Sequence, residues 1–329
     1  TTGRPKGALL THEQNIRGYE TFSGIYGLRA DDNFLVIPPF FHSFGFTGTM
    51  WAVLSLEPKG VYHFNPLDAK IVGKLCKKFA GTVLLSTPTF LRGFIRRVEA
   101  EDFATLDVVV AGAEKLPTDI CDAFEAKFKV RPVEGYGTTE LSPLVAVNVP
   151  PSRSSEINQI DRKEGTVGRP VPGVSAKVTD LETGAELPAE TPGMLWIKGP
   201  NVMKGYLGRE DLTRESIQDG WYNTGDVALI DRDGFIRITG RVSRFSKIAG
   251  EMVPHIQVEE EINRYLGAAE DGELKAAVTQ IGATLEGIPT AHGALALAAR
   301  LGVELPITAT VVAALASGVP IDVLAQTLL

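Results

Sequence analysis

Gly135-Tyr136-Gly137-Thr138-Thr139-Glu140 follows an apolar strand-like run and sets flexible backbone, an aromatic face, two hydroxyls and a carboxylate within six residues. Such a set can stack a base, hold a phosphate and bind Mg²⁺ through oxygen. A glycine-rich strand end with no ligand is the plainer alternative.

Around this loop, residues 8 to 165 alternate short apolar or β-branched runs with helical patterns, and Phe34 to Pro38, Val83 to Ser86 and Val108 to Ala111 read as strands. Strands apolar throughout are buried on both faces, so this part predicts an α/β fold. From Gly165 to Arg241 the texture changes to short strands broken by Gly, Pro and Asp-Gly, among them Ser175 to Thr179, Met194 to Lys198 and Phe235 to Thr239. That predicts a small β subdomain. Asp231-Arg232-Asp233-Gly234 signals a hairpin turn, and the polar, basic stretch Arg241 to Gly250 a hinge, with a new lobe from about Ser243.

Two further stretches carry chemistry. Thr1-Thr2-Gly3-Arg4-Pro5-Lys6-Gly7 combines hydroxyls, glycines and a lysine, the makings of a loop that wraps phosphates with backbone amides. A turn before the helix that Thr11 and Gln14 open as a capping box is the alternative. Tyr222-Asn223-Thr224-Gly225-Asp226 presents a carboxylate from a tight turn before a strand, an acceptor for two ribose hydroxyls or an ordinary exposed turn Asp.

Composition narrows the field. With 329 residues, 44% of them hydrophobic, the chain can build two or three domains with a core. A net charge of −7 with scattered Lys and Arg argues against a nucleic-acid partner. Cys76 and Cys121 lack metal-ligand spacing and read as buried thiols of a reducing compartment. No run reaches membrane-span length, and the sequence shows no charged start followed by an apolar core. The expectation is a cytoplasmic protein, or one at the inner face of a membrane within a longer parent.

The three stretches in this order, with Gly240-Arg241 some fifteen residues after the last, resemble the adenylate-forming superfamily of acyl and aryl ligases over roughly residues 1 to 278. Pro38-Pro39-Phe40-Phe41-His42 resembles its substrate-side motif, Ala111-Gly112-Ala113-Glu114-Lys115 the loop against adenine, and Gly165-Thr166-Val167-Gly168-Arg169-Pro170 the entry to its β subdomain. The wording Arg244-Phe245-Ser246-Lys247-Ile248-Ala249-Gly250-Glu251-Met252 is similar to the ligase domains of bifunctional 2-acylglycerophosphoethanolamine acyltransferase/acyl-carrier-protein synthetases.

The resemblance implies a domain plan: 1–165 for the α/β part, 166–242 for the β subdomain, 243–279 for the start of a small domain and 280–329 for a helical tail. It implies that ATP and a fatty acid form acyl-AMP, and that the acyl group passes to the phosphopantetheine thiol of an acyl carrier protein or CoA. Thr1, Thr2, Gly3 and Gly7 would wrap the phosphates with Lys6; Gly112, Ala113, Glu114, Gly135, Tyr136, Gly137 and Thr138 would hold the rest of the nucleotide. Glu140 would bind Mg²⁺ with Thr139 beside it, Asp226 the ribose, Arg241 ribose or phosphate, and His42 would orient the substrate carboxylate, although a lone His is more often structural.

The pattern stops after Leu274-Lys275-Ala276-Ala277-Val278-Thr279. Gln280 to Gly287 and Leu301 to Thr308 resemble C-terminal helices of NAD(P)-dependent glycerol-3-phosphate dehydrogenases, nominating Glu286, but no Gly-x-Gly-x-x-Gly follows a strand to bind a dinucleotide. The chain thus reads as parts of two lipid-synthesis proteins joined, the ligase truncated at both ends and expected to be impaired. The competing readings are a non-catalytic nucleotide-binding remnant and a partly folded fragment with exposed apolar surface.

Overall fold

The computed structural model describes residues 6–56, 58–154, 161–242, 245–248 and 251–254. Thr1, Thr2 and Gly3, the hinge position Ser243, the strand expected from Leu274, Glu286 and the tail lie outside the described residues. These described residues belong to one compact unit.

Strand β1 (Ala8–Leu9) follows the Lys6 loop and leads into α1 (His12–Tyr26). The capping box is formed: Gln14 N donates to Thr11 Oγ1 at 3.1 Å and Thr11 N to Gln14 Oε1 at 2.7 Å, satisfying two amides that a helix start leaves unpaired.

The main sheet contains β2 (Asn33–Val36), β3 (Lys59–Tyr62), β4 (Val83–Ser86), β5 (Val108–Ala111), β6 (Val133–Tyr136), β7 (Ala146–Val147) and β8 (Arg169–Pro170), in the order β3-β2-β4-β5-β6-β7-β8. β2 to β6 pair in parallel, and β7 and β8 are antiparallel. β2 stops at Val36, short of the expected Pro38, because Pro38 and Pro39 have no N–H for a ladder. Between the strands run α2 (Ser43–Gly45), α3 (Ala52–Leu56), α4 (Ala69–Phe79), α5 (Pro88–Arg97) and α6 (Thr118–Phe128).

The apolar strands serve two cores, as expected. Leu35, Leu84 and Val109 pack with Val72 and Cys76 of α4, Phe94 of α5 and Phe124 of α6. Phe34, Val36, Val83, Leu85, Val108 and Val110 pack on the opposite side with Phe22 and Tyr26 of α1. Each such side chain, fully buried, contributes on the order of 1.5–3 kcal/mol. Both cysteines are buried, in α4 and α6, and burial pushes each thiol up to about 11.

The β structure that the texture of residues 165–241 predicts is present as a second sheet, whose pairings are antiparallel. It comprises β9 (Ser175–Thr179), β10 (Gly193–Lys198), β12 (Ile217–Gln218), β13 (Trp221–Ile230) and β14 (Ile236–Arg241), while β11 (Gly205–Tyr206) precedes the short helix α7 (Glu210–Ser216). Asp231 makes the β13–β14 turn, its Oδ1 accepting from the amides of Asp233 and Phe235 at 2.9 Å each, with Gly234 at φ 83°. β11 pairs with β1, so the β subdomain grips the strand that follows Lys6. β15 (Phe245–Ile248) and β16 (Glu251–Pro254) form a hairpin beyond β14.

Candidate active site

At the end of β6 the chain turns so tightly at Gly137 that a Cβ there would lie 1.5 Å from Pro143 O. Only glycine fits, and the turn hands Thr139 and Glu140 to a short 3₁₀ segment, Thr139–Leu141. Tyr136, the last residue of β6, donates its hydroxyl to Asp226 Oδ2 at 2.5 Å, and Arg241 Nε donates to Asp226 Oδ1 at 2.6 Å. Burial and then the Asp226 charge push the Tyr136 phenol well above its usual range, and the same charge raises Arg241 further.

Asp226 corrects the sequence reading. It does not sit on an exposed turn before a strand but inside the ten-residue strand β13, its side chain 4% exposed. Gly225, at φ 71°, lies where the β10–β13 register shifts, so the glycine marks a bulge inside a continuous strand. Each carboxylate oxygen of Asp226 already accepts one bond and has capacity for another, which suits a ligand bearing two hydroxyls.

Glu140 and Lys6 meet on a residue the sequence reading does not single out. Tyr206 donates its hydroxyl to Glu140 Oε1 at 2.8 Å, and Lys6 Nζ lies 4.6 Å from the centre of the same ring. Thr139 Oγ1 is 3.2 Å from Ser43 Oγ. Ser43 opens α2 next to His42, whose Nδ1 accepts from Phe44 N at 3.2 Å as an N-cap.

Of these residues His42, Ser43 and Tyr136 line an open pocket of about 630 Å³, counting the solvent at its mouth, whereas Lys6, Thr139, Glu140, Tyr206, Asp226 and Arg241 are not part of its lining. His42, Ser43 and Phe44 line one side, Gly112 and Ala113 another, and Gly135, Tyr136 and Gly137 a third, with Phe22, Tyr26 and Val110 supplying apolar wall. A π-helical turn, Phe46–Trp51, follows α2, a widened geometry frequent beside functional sites. Glu114 is placed differently from its neighbours: its carboxylate accepts from Thr89 N at 3.3 Å and Thr89 Oγ1 at 2.7 Å, at the start of α5. Gly7 is exposed, its carbonyl accepting from Leu207 N at 2.8 Å.

The sequence profile of the family described as "AMP-binding enzyme" matches residues 1–207. The chain belongs to the AMP-binding enzyme family. It is 32% identical over 275 residues to a long-chain-fatty-acid–CoA ligase of Salmonella typhimurium, covering 82% of this chain and 47% of that protein. Among solved structures, apo MatB from Rhodopseudomonas palustris matches with a TM-score of 0.70 at 31% identity, covering 80% of this chain and 51% of that one. The ATP-bound form of MatB matches with a TM-score of 0.69. The chain spans about half the length of the curated relatives it matches. The fold is the mixed α/β fold of the large domain of adenylate-forming ligases.

In an AMP-binding enzyme two features of this site fit the nucleotide and a cation. Thr138 Oγ1 is buried with no hydrogen-bond partner, a state that costs about 1–3 kcal/mol and that a ligand oxygen would relieve. Among the described residues no group of three or more His, Cys, Asp or Glu could hold a metal. A single carboxylate, Glu140, suits a Mg²⁺ that takes its other oxygens from phosphates and water.

Sequence reasoning missed Tyr206, which lies 66 positions from Glu140 in a stretch with no cluster of chemical groups. Ser43, by contrast, adjoins His42 and was within reach of a closer look at the Pro38–His42 motif.

Proposed function

We propose that this chain carries the adenylate-forming part of an acid–thiol ligase that activates a fatty acid with ATP. The observation that supports it best is the pair of charged clusters joined to β6 and the loop after it: Lys6 and Glu140 on Tyr206, and Arg241 with Asp226 on Tyr136, which itself lines the pocket. A mixed anhydride forms when a carboxylate attacks the α-phosphorus of ATP and pyrophosphate leaves, so two anions must be brought together and the developing charge stabilised.

Lys6 sits where it can neutralise phosphate oxygens, Thr138 offers its buried hydroxyl, and Asp226 holds the ribose hydroxyls while Arg241 reaches ribose or phosphate. His42 lies at the pocket rim, close to the incoming carboxylate. A Mg²⁺ held by Glu140 would neutralise phosphate charge and order the leaving group. These groups act chiefly by position, which alone accounts for several kcal/mol of a barrier.

The second half-reaction transfers the acyl group to a phosphopantetheine thiol, releasing AMP. The matched curated relatives are named as CoA ligases, whereas the wording of residues 244–252 favours an acyl carrier protein. The chain incubated with Mg·ATP and palmitate is expected to release pyrophosphate and yield palmitoyl-AMP, and CoA and holo-acyl carrier protein are then compared as acceptors. ATP binding with no acyl-AMP would replace this reading by that of a nucleotide-binding remnant. Lys6→Ala and Glu140→Ala are expected to abolish pyrophosphate release while leaving the melting transition in place, and full turnover in both would remove their assigned roles.

A further inference from the structure

We propose that Tyr206 is the positioning residue that keeps the Lys6 loop and the Glu140 carboxylate in register, an inference that rests on the nucleotide reading above. Three contacts converge on it. Its backbone pairs with Ala8, and the flanking amides extend the hold: Lys204 N donates to Leu9 O at 2.9 Å and Leu207 N to Gly7 O at 2.8 Å. Its ring faces the Lys6 ammonium at 4.6 Å, and its hydroxyl donates to Glu140 Oε1 at 2.8 Å. Glu140 is tied from a second direction, since its carbonyl accepts from Met203 N at 2.8 Å.

Tyr206 is itself well held. It is 5% exposed, and its amide donates to Thr213 Oγ1 at 2.9 Å. Gly205 before it stands at φ 143°, where a Cβ would come within 2.6 Å of the Thr213 side chain, so the close approach of α7 to β11 requires glycine. Burial pushes the phenol up to about 12, keeping the hydroxyl a donor at any working pH.

Keeping charges apart gives this arrangement its purpose. A lysine and a glutamate serving one anionic ligand would, if free to meet, form an ion pair with each other and spend the charge the ligand needs. Among the described residues neither Lys6 nor Glu140 forms an ion pair. The ring takes the ammonium on its face by cation–π attraction while the hydroxyl fixes one carboxylate oxygen, leaving Oε2 for a metal.

Calorimetric titration of the intact chain with ATP, in Mg²⁺ and in EDTA, tests this. Tyr206→Phe keeps the ring and loses the hydroxyl, so the gain in ATP affinity conferred by Mg²⁺ is expected to fall about tenfold, with affinity in EDTA unchanged. Tyr206→Leu also loses the Lys6 contact and is expected to weaken ATP in EDTA as well. In a Glu140→Gln background Tyr206→Phe should change nothing further, an outcome a merely structural role would not produce. Thr213→Val, which touches neither Lys6 nor Glu140, should move the Mg²⁺ gain in the same direction by less. A Tyr206→Phe chain that keeps the full gain, or one whose loss persists with Glu140→Gln, overturns the inference alone. A wild-type chain with no Mg²⁺ gain overturns the nucleotide reading and this inference with it.

Discussion

Glu134 and Asp226 are both carboxylates folded into strands beside the site, and the fold treats them in opposite ways. Asp226 has a guanidinium on one oxygen and a phenol on the other. Glu134, on β6 two residues before Tyr136, lines a smaller pocket of about 350 Å³ with Leu116, Cys121 and Arg131. Burial pushes its carboxyl up to about 7; the Leu116 amide and the charge of Lys115 pull it back only in part. Arg131 at the same pocket is committed to Asp122, Glu125 and Glu164. A buried carboxylate keeps its charge where partners replace water, and takes up a proton where they do not.

A third acid, Asp32, marks the strong end of this comparison. Arg153 binds it through two nitrogens at 2.7 and 3.0 Å and reaches Asp107 at 2.6 Å, with the Arg153 and Asp32 side chains 3% and 1% exposed. Burial works against the Asp32 charge, but Arg153, the Arg29 amide and the Thr82 hydroxyl together hold its carboxyl below the usual range. Arg153→Ala is expected to cost about 3–5 kcal/mol in denaturant titration, because it strands a buried negative charge. A loss under 1 kcal/mol would show that water reaches Asp32 once the arginine is gone.

Next in size is the site itself. Asp226→Asn keeps the shape but removes the charge that Arg241 answers, and pyrophosphate release is expected to fall about 100-fold, with the melting point nearly retained. Undiminished release would mean that the pairing with Arg241 serves the fold alone.

The effect that depends on pH is the most diagnostic. The unfolded Glu134 titrates near about 4.3, so between there and about 7 the unfolded chain sheds a proton that the folded chain keeps. Stability therefore falls as pH rises through that window and is level above it. Glu134→Gln removes the penalty: it is expected to stabilise the chain at pH 8 and to do so only slightly at pH 4.5. A pH-independent difference would place the gain in packing instead.

Parts of this architecture were open to reading in advance, for physical reasons. Val83–Ser86, Val108–Ala111 and Ser175–Thr179 have the bounds the sequence predicts, since apolar or alternating runs with clear ends admit one interpretation. The Thr11–Gln14 box and the Asp231–Gly234 turn depend on contacts within four residues. Asp226 was misread because a glycine beside polar residues looks the same whether it makes a turn or a bulge, and only the facing strand β10 decides. Glu134 gives no local sign of its state, which comes from elements before and after it in the chain.

The short ladder between β1 and β11 has a consequence in time. It joins residue 8 to residue 206 through two residue pairs, closing a very long loop for very little reward. The strand behind Lys6 should therefore dock last during folding and detach first in the native state. Its amides should lose protection to hydrogen exchange before those of β4 and β5, and regain it when ATP binds. The part of the chain best suited to grip phosphate would then be the part most dependent on phosphate to stay in place.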